Sequence, residues 1–306
     1  LLAAGDVRLP PLPGPEPDEA IIAIFPAPER WLGLVATTAG TRTRVLGPAG
    51  PLDARRAEDV LSALDGELAR VRHVRFIPFG PAEGIDWHAV AWRGRPLFAS
   101  REVAWALDVR RPTPAPRAGR AVLVANPTGD LPAATAEAAA VAPHLGDVQR
   151  FEGSTATRDT VLGALPEARL LHYAGHAVAE GADGMGSALL LHGRARVELG
   201  DLLALPAVPT VVVLSACEAA TAGDVIASLM GLGQAFVAAG SAAVVAPTRP
   251  VHDDVARAFS VALHQAFARA SGPPAAALRS AFRESLEVLA TTKPLPTFSG
   301  FRLYVP

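Results

Sequence analysis

Apolar residues along this chain fall in short runs that stop at polar or turn residues, and these runs alternate with longer stretches of helical period. Residues 20–25, 31–36 and 41–46 read as three strands, followed by a helix over 51–71 and a strand over 73–78. After a turn rich in glycine and proline, 87–92 opens another ordered segment. From residue 121 the pattern becomes regular. Strands at 121–126, 147–151 and 169–176 enclose an alanine-rich helix at 132–145 and a helix at 155–165 with Thr155 as its N-cap. Segments 187–191 and 195–199 pair as a hairpin around His192-Gly193. A strand at 210–217, a helix at 225–239 closed by Gly240 and a strand at 242–247 come next. Helices at 253–270 and 273–290 precede a last strand at 301–305. Strands alternating with helices predict a parallel or mixed α/β sandwich.

Two proline-rich stretches divide this pattern. Residues 1–18 read as a linker or extended arm. Arg110-Arg111-Pro112-Thr113-Pro114-Ala115-Pro116 is the clearest internal boundary, because its prolines donate to neither helix nor sheet ladder. The expected division is therefore an arm at 1–18, a first unit at 19–117 and a second at 118–306. The mean hydropathy is positive, yet no apolar run reaches the 18 residues of a membrane span. A net charge of −2 with no face-long Lys/Arg run argues against a nucleic-acid partner. The start, Leu1-Leu2-Ala3-Ala4-Gly5-Asp6, carries no signal pattern and reads as the beginning of a piece of a longer protein. A single cysteine excludes an internal disulfide framework and suits a reducing cytoplasm.

That cysteine ends the run Val211-Val212-Val213-Leu214-Ser215-Ala216-Cys217, and a second apolar run, from Leu170, ends on His176 beside Gly175. Neighbouring parallel strands lie about 4.8 Å apart. If these two are neighbours, a thiol and an imidazole meet at the carboxyl edge of the sheet, where open α/β folds place their ligands. A thiol needs such a base to reach its nucleophilic form near neutral pH. The plainer reading of Cys217 is a small buried hydrophobe, and of His176 a satisfied core histidine. His172 sits deeper in its run and reads as structural. A metal set of His172, His176 and Cys217 lacks a fourth ligand at a recognisable spacing, so no metal is expected. Gly231-Leu232-Gly233 lacks the third glycine and preceding strand of a dinucleotide site, no Gly-x-Ser-x-Gly elbow occurs, and no cofactor is expected.

The runs Leu171-His172-Tyr173-Ala174-Gly175-His176 and Val213-Leu214-Ser215-Ala216-Cys217-Glu218-Ala219 resemble the two signatures of the CHAT domain, a family of caspase-like cysteine peptidases related to caspases and separase. The glycine- and alanine-rich helix at 231–240 resembles it too, as do 77–92, Asn126-Pro127, 276–282 and 298–304, so the likeness covers the chain from about residue 20. The resemblance implies a caspase-like three-layer α/β/α sandwich, with a degenerate N-terminal subdomain buttressing an active one. It implies Cys217 as nucleophile and His176 as general base and acid. The backbone N–H groups of Cys217 and Ala177 would bind the oxyanion. It further implies a protein substrate, an upstream sensor of helical repeats such as TPRs or another regulatory partner, and an effector role in bacterial defence or cell death. The loops at 182–186 and 219–224 are the expected mobile elements.

Two positions depart from the family pattern. The usual glycine after the histidine is Ala177, which a positive φ would strain. The usual Leu-Trp-Pro-Val-x-Asp reads Thr248-Arg249-Pro250-Val251-His252-Asp253. In related peptidases this segment helps line the pocket for the residue before the scissile bond. Asp253 there suits a basic side chain and Arg249 an acidic one; the match to the family favours Asp253. These departures leave open a non-catalytic CHAT-like interaction module. A flavodoxin- or Rossmann-like binder with an incidental cysteine is the remaining alternative.

Overall fold

A computed structural model describes residues 14–107, 117–178, 186–218 and 228–306. The first thirteen residues of the arm, the boundary at 110–116, and most of the loops at 182–186 and 219–224 lie outside the described residues. The chain begins with an antiparallel meander, β1 (Glu19–Pro26), β2 (Arg30–Thr37) and β3 (Gly40–Pro48). Helices α1 (Ala54–Ala63) and α2 (Asp65–Leu68) lead to β4 (His73–Pro78), which runs parallel to β1. A small ribbon, β5 (Ala91–Trp92) with β6 (Arg95–Pro96), precedes β7 (Glu102–Ala106), parallel to β4.

The second half runs β8 (Ala121–Ala125), α3 (Pro132–Val141), β9 (Val148–Glu152), α4 (Arg158–Ala164) and β10 (Leu170–Val178). The hairpin β11 (Ala188–Leu190) and β12 (Arg196–Glu198) follows, then α5 (Leu199–Ala204), β13 (Val211–Glu218), α6 (Ser228–Ala239) and β14 (Ala243–Pro247). Helices α7 (Asp253–Arg269), α8 (Pro274–Ala290) and α9 (Leu295–Phe298) lead to β15 (Phe301–Val305).

All strands but the β5–β6 ribbon form one sheet, in the path order β12-β11-β10-β13-β14-β15-β7-β4-β1-β2-β3, with β8 and β9 branching from β10. The last strand of the chain joins the halves, antiparallel to β14 on one side and parallel to β7 on the other. Alternate strand residues feed two cores, one on each face. Val122, Leu171, Val212 and Val244 pack in one cluster with residues of α1 and α6. Leu123, Leu170, Val213 and Val245 pack in the other with residues of α3, α7 and α8. The result is a mixed α/β sheet with helices on both faces. Among the described residues no helix is long and apolar enough to cross a membrane.

Several elements differ from the sequence reading, among them the short helices α5 and α9, which it did not include. The helix expected over 51–71 breaks at Leu64 (φ −100°, ψ 8°) into α1 and α2. Asp65 and Gly66 follow the break; the Asp65 carboxylate is engaged by Trp92 Nε1 at 3.0 Å and Arg93 Nε at 2.7 Å, and glycine weakens helix continuation. The N-cap of α4 is Thr157, whose hydroxyl accepts from the Thr160 N–H at 3.3 Å; Thr155 serves the preceding turn, accepting from the Glu152 N–H at 2.9 Å. Strand β7 was not anticipated, since all five of its residues are buried and it has no polar–apolar alternation.

Beside β7, His88 is fully buried in an aromatic nest, its ring 5.2 Å from Trp105 and 5.9 Å from Phe282. Burial pushes its imidazole down to about 4; the charge of Asp86 opposes this, and those of Arg302 and Arg249 reinforce it. The fold thus holds His88 neutral while the unfolded chain binds a proton below about pH 6.5. Stability is full above that pH and is expected to fall as pH drops from 6.5 to 4, by about 3 kcal/mol from this group. Denaturant titrations at pH 7.5 and 4.5 check this. In His88→Leu the loss across that interval should shrink, and an equal loss in both proteins would assign it elsewhere.

Candidate active site

Strands β10 and β13 are adjacent and parallel, with His172 opposite Val213, Ala174 opposite Ser215, and His176 opposite Cys217. The two sequence-predicted residues are therefore register partners at the carboxyl ends of neighbouring central strands; Cys217 is placed by this backbone register. β8 pairs with β10 only as far as Ala125 opposite Ala174, and β11 takes over at Ala177 opposite Leu189. The sheet thus forks beside Gly175 and His176. Such a fork leaves a crevice at the strand ends.

Tyr173 and Gly175 shape the fork. The Tyr173 hydroxyl lies 2.5 Å from the His176 carbonyl oxygen and 2.7 Å from that of Leu190, linking the end of β10 to β11. The ring is fully buried, and that burial pushes its phenol pKa upward, so the hydroxyl stays a donor. A Cβ on Gly175 would stand 2.7 Å from this hydroxyl and 2.9 Å from Pro127 Cδ, closer than packed atoms tolerate. Glycine at 175 is thus a steric requirement, though its φ is not positive. Nor is that of Ala177, which lies buried in the strand. The family's glycine is not needed there for backbone freedom.

Sequence reasoning missed one member of the site. The His176 ring, 19% exposed, places Nε2 3.1 Å from Asp130 Oδ1. Asp130 lies in the short loop between β8 and α3. Asn126 builds that loop: it adopts a positive φ of 42°, its N–H donates to the Ala174 carbonyl at 2.8 Å, and its Oδ1 accepts from the Leu131 N–H at 2.8 Å. The Thr128 hydroxyl donates to Asp130, and this bond, followed by the nearby His176 ring, holds the Asp130 carboxyl below its ordinary range. The signal was an aspartate five residues past the end of β8, in Asn126-Pro127-Thr128-Gly129-Asp130.

His172 is fully buried, as its place in the apolar run implied. Arg249 and Asp253 lie past the carboxyl end of β14, the strand next to β13. The Arg249 guanidinium is taken up by Asp86 and Ser299. Asp253 is exposed at the first turn of α7 with no side-chain partner among the described residues.

No protein with a curated description matches the chain. Among solved structures, it resembles separase in the separase–securin complex of Saccharomyces cerevisiae, with TM-score 0.54 and 14% identity over 83% of this chain and 17% of that one. It also resembles the Arg-specific cysteine proteinase gingipain R, with TM-score 0.53 and 13% identity over 84% of this chain and 68% of that one. The complex of the gingipain pro- and mature domains from Porphyromonas gingivalis gives TM-score 0.55 and 12% identity, covering 84% and 70%. These are caspase-like cysteine peptidase folds, and the chain spans about a sixth of the separase chain's length. The family model that matches is the CHAT domain, over residues 51–294. That span runs from the start of α1 to the approach to β15 and takes in both site strands, so the chain belongs to the CHAT domain family.

Proposed function

We propose that this chain is a cysteine endopeptidase acting on a protein substrate, with Cys217 as nucleophile and His176 as general base and acid. The observation that carries the reading is the register of His176 with Cys217 at the forked carboxyl edge of the sheet. Residues so paired on parallel strands share a sheet face. The Asp130 contact at Nε2 supports it, because a carboxylate there fixes the ring orientation and leaves Nδ1 for the thiol. In the proposed cycle the His176 ring accepts the thiol proton and the Cys217 sulfur attacks the scissile carbonyl carbon. The backbone N–H groups of Ala177 and Cys217 receive the oxyanion. The C–N bond breaks as His176 returns the proton to the leaving amine. Water, deprotonated by the same ring, then releases the acyl group from its thioester.

In this reading residues 19–117 form a non-catalytic half that buttresses 118–306 through the β15–β7 junction. The whole protein is a regulated effector of defence or cell death, governed by an upstream sensor region or partner. Asp253 supplies the charge that selects a basic residue before the cut, because the Arg249 guanidinium is already held by Asp86 and Ser299. The test is a cleavage profile on a diverse peptide library with wild type, Cys217→Ala and Asp253→Asn. Cleavage after Lys or Arg is expected, absent in Cys217→Ala. In Asp253→Asn the preference for a basic residue should fall about fivefold, the value of an exposed ion pair of about 1 kcal/mol. Cleavage that survives in Cys217→Ala rules the mechanism out. No cleavage even by the protein with its upstream region attached would favour the non-catalytic interaction module.

A further inference from the structure

Directly inward from the proposed dyad lies a buried chain of polar groups that the mechanism does not use. Glu137 of α3 is 4% exposed. Its Oε2 accepts from the Ser215 hydroxyl at 2.9 Å, and its Oε1 is 3.1 Å from His172 Nε2. His172 Nδ1 is 2.9 Å from Nε2 of His264 on α7. Burial pushes the His264 imidazole far down, so it is neutral. Two hydrogen bonds fix part of the proton arrangement. His264 donates from Nε2 to His172 Nδ1 and Ser215 donates to Glu137 Oε2, while His172 Nε2 faces Glu137 Oε1 at ion-pair distance without hydrogen-bond geometry. His264 Nδ1, which has no hydrogen-bond partner among the described residues, is left without a proton.

The placement of this carboxylate gives it a role. Ser215 is one strand period before Cys217 on β13, and His172 is two before His176 on β10. Glu137 itself is on the helix that leaves the Asp130 loop. One side chain therefore ties together the three segments that deliver Asp130, His176 and Cys217. An apolar residue would fill the same space without coupling them. A buried carboxylate is costly without polar partners, so the bond to Ser215 and the contact with His172 resist separation.

We infer that Glu137 is a positioning residue for the His176/Cys217 pair, acting through Ser215 and His172; this rests on the dyad reading above. Cys217 is the only cysteine, so thiol alkylation reports on it alone and needs no substrate. The experiment follows the iodoacetamide alkylation rate against pH in the intact protein, for wild type, His176→Ala, Glu137→Gln and Ser215→Ala. In wild type the midpoint should lie below that of an ordinary thiol, about 8.5, and return to it in His176→Ala. In Glu137→Gln it should rise by about one unit with an about tenfold slower reaction at pH 7, in protein still folded at the assay temperature. Ser215→Ala should move the same way, and it decides the matter if Glu137→Gln fails to fold. Midpoints unchanged in the folded variants, with only a lower melting temperature, would make the network purely structural and overturn the inference while leaving the dyad standing. A wild-type midpoint equal to that of His176→Ala would instead overturn the dyad reading, and this inference with it.

Discussion

Alanine at His176 is expected to slow Cys217-dependent peptide cleavage by about 10²- to 10⁴-fold, the range that a positioned acid–base group contributes. At pH 7 an unassisted thiol is only a few per cent thiolate, and the amine leaving group has no proton donor once the ring is gone. Both losses fall on acylation, so the single-turnover rate should drop while peptide affinity changes little. Asp130→Asn should be the milder variant. Its carboxylate is 65% exposed and acts on the ring by orientation and charge, both of which water screens in part. Single-turnover acylation by the three proteins at pH 6 to 9 checks the order. A His176→Ala protein within tenfold of wild type would remove His176 from the chemistry. An Asp130→Asn protein as slow as His176→Ala would instead make the two a single unit.

What the sequence disclosed of this site, and what it did not, follows from where each residue lies. Two apolar runs ending on a histidine and a cysteine carry their own signal, since strand identity and carboxyl-end placement are local properties. Asp130 escapes such a reading because its position depends on the positive φ of Asn126 and the hydrogen bond from Asn126 to β10, a strand more than forty residues away. Glu137 escapes for a similar reason. In an alanine-rich helix with no polar stripe, nothing in the sequence marks a glutamate as the buried residue rather than a solvated one. The mixed α/β sandwich was legible from alternating strands and helices. The insertion of β15 between β14 and β7 was not, because strand order across the sheet is set by long-range packing. Arg249 shows the same limit. A family motif suggested a pocket residue, while its partner Asp86 lies in the other half of the chain.

That pairing sets the largest stability effect we expect. Asp86 is 12% exposed and lies between two guanidiniums. Arg302, fully buried, reaches its Oδ1 from Nε at 3.2 Å and Nη2 at 3.0 Å. Arg249 binds its other oxygen. Arg302 also donates to the Glu83 carbonyl at 2.7 Å and lies 5.0 Å from the centre of the Trp105 ring, so it cannot swing out to water without undoing the β15–β7 junction. Asp86→Ala leaves this buried charge without its counter-ion, and such a loss costs about 3–5 kcal/mol, a large share of the roughly 5–15 kcal/mol that stabilises a folded domain. Burial makes the pair nearly indifferent to salt, so 0.5 M NaCl should not reproduce the loss. Arg302→Met removes the charge itself and should cost less, and the double variant should recover part of what Asp86→Ala alone gives up. Arg249→Ala, at a side chain 39% exposed, should be milder still, yet it frees the segment that carries Asp253 and should blur the preference for a basic residue. Denaturant melts of these variants test the stability order, and an Asp86→Ala penalty below about 1 kcal/mol would show that Arg302 is satisfied by its other partners. The same proteins run on the peptide library separate the two roles of the cluster: stability should follow Arg302, and cleavage preference should follow Arg249.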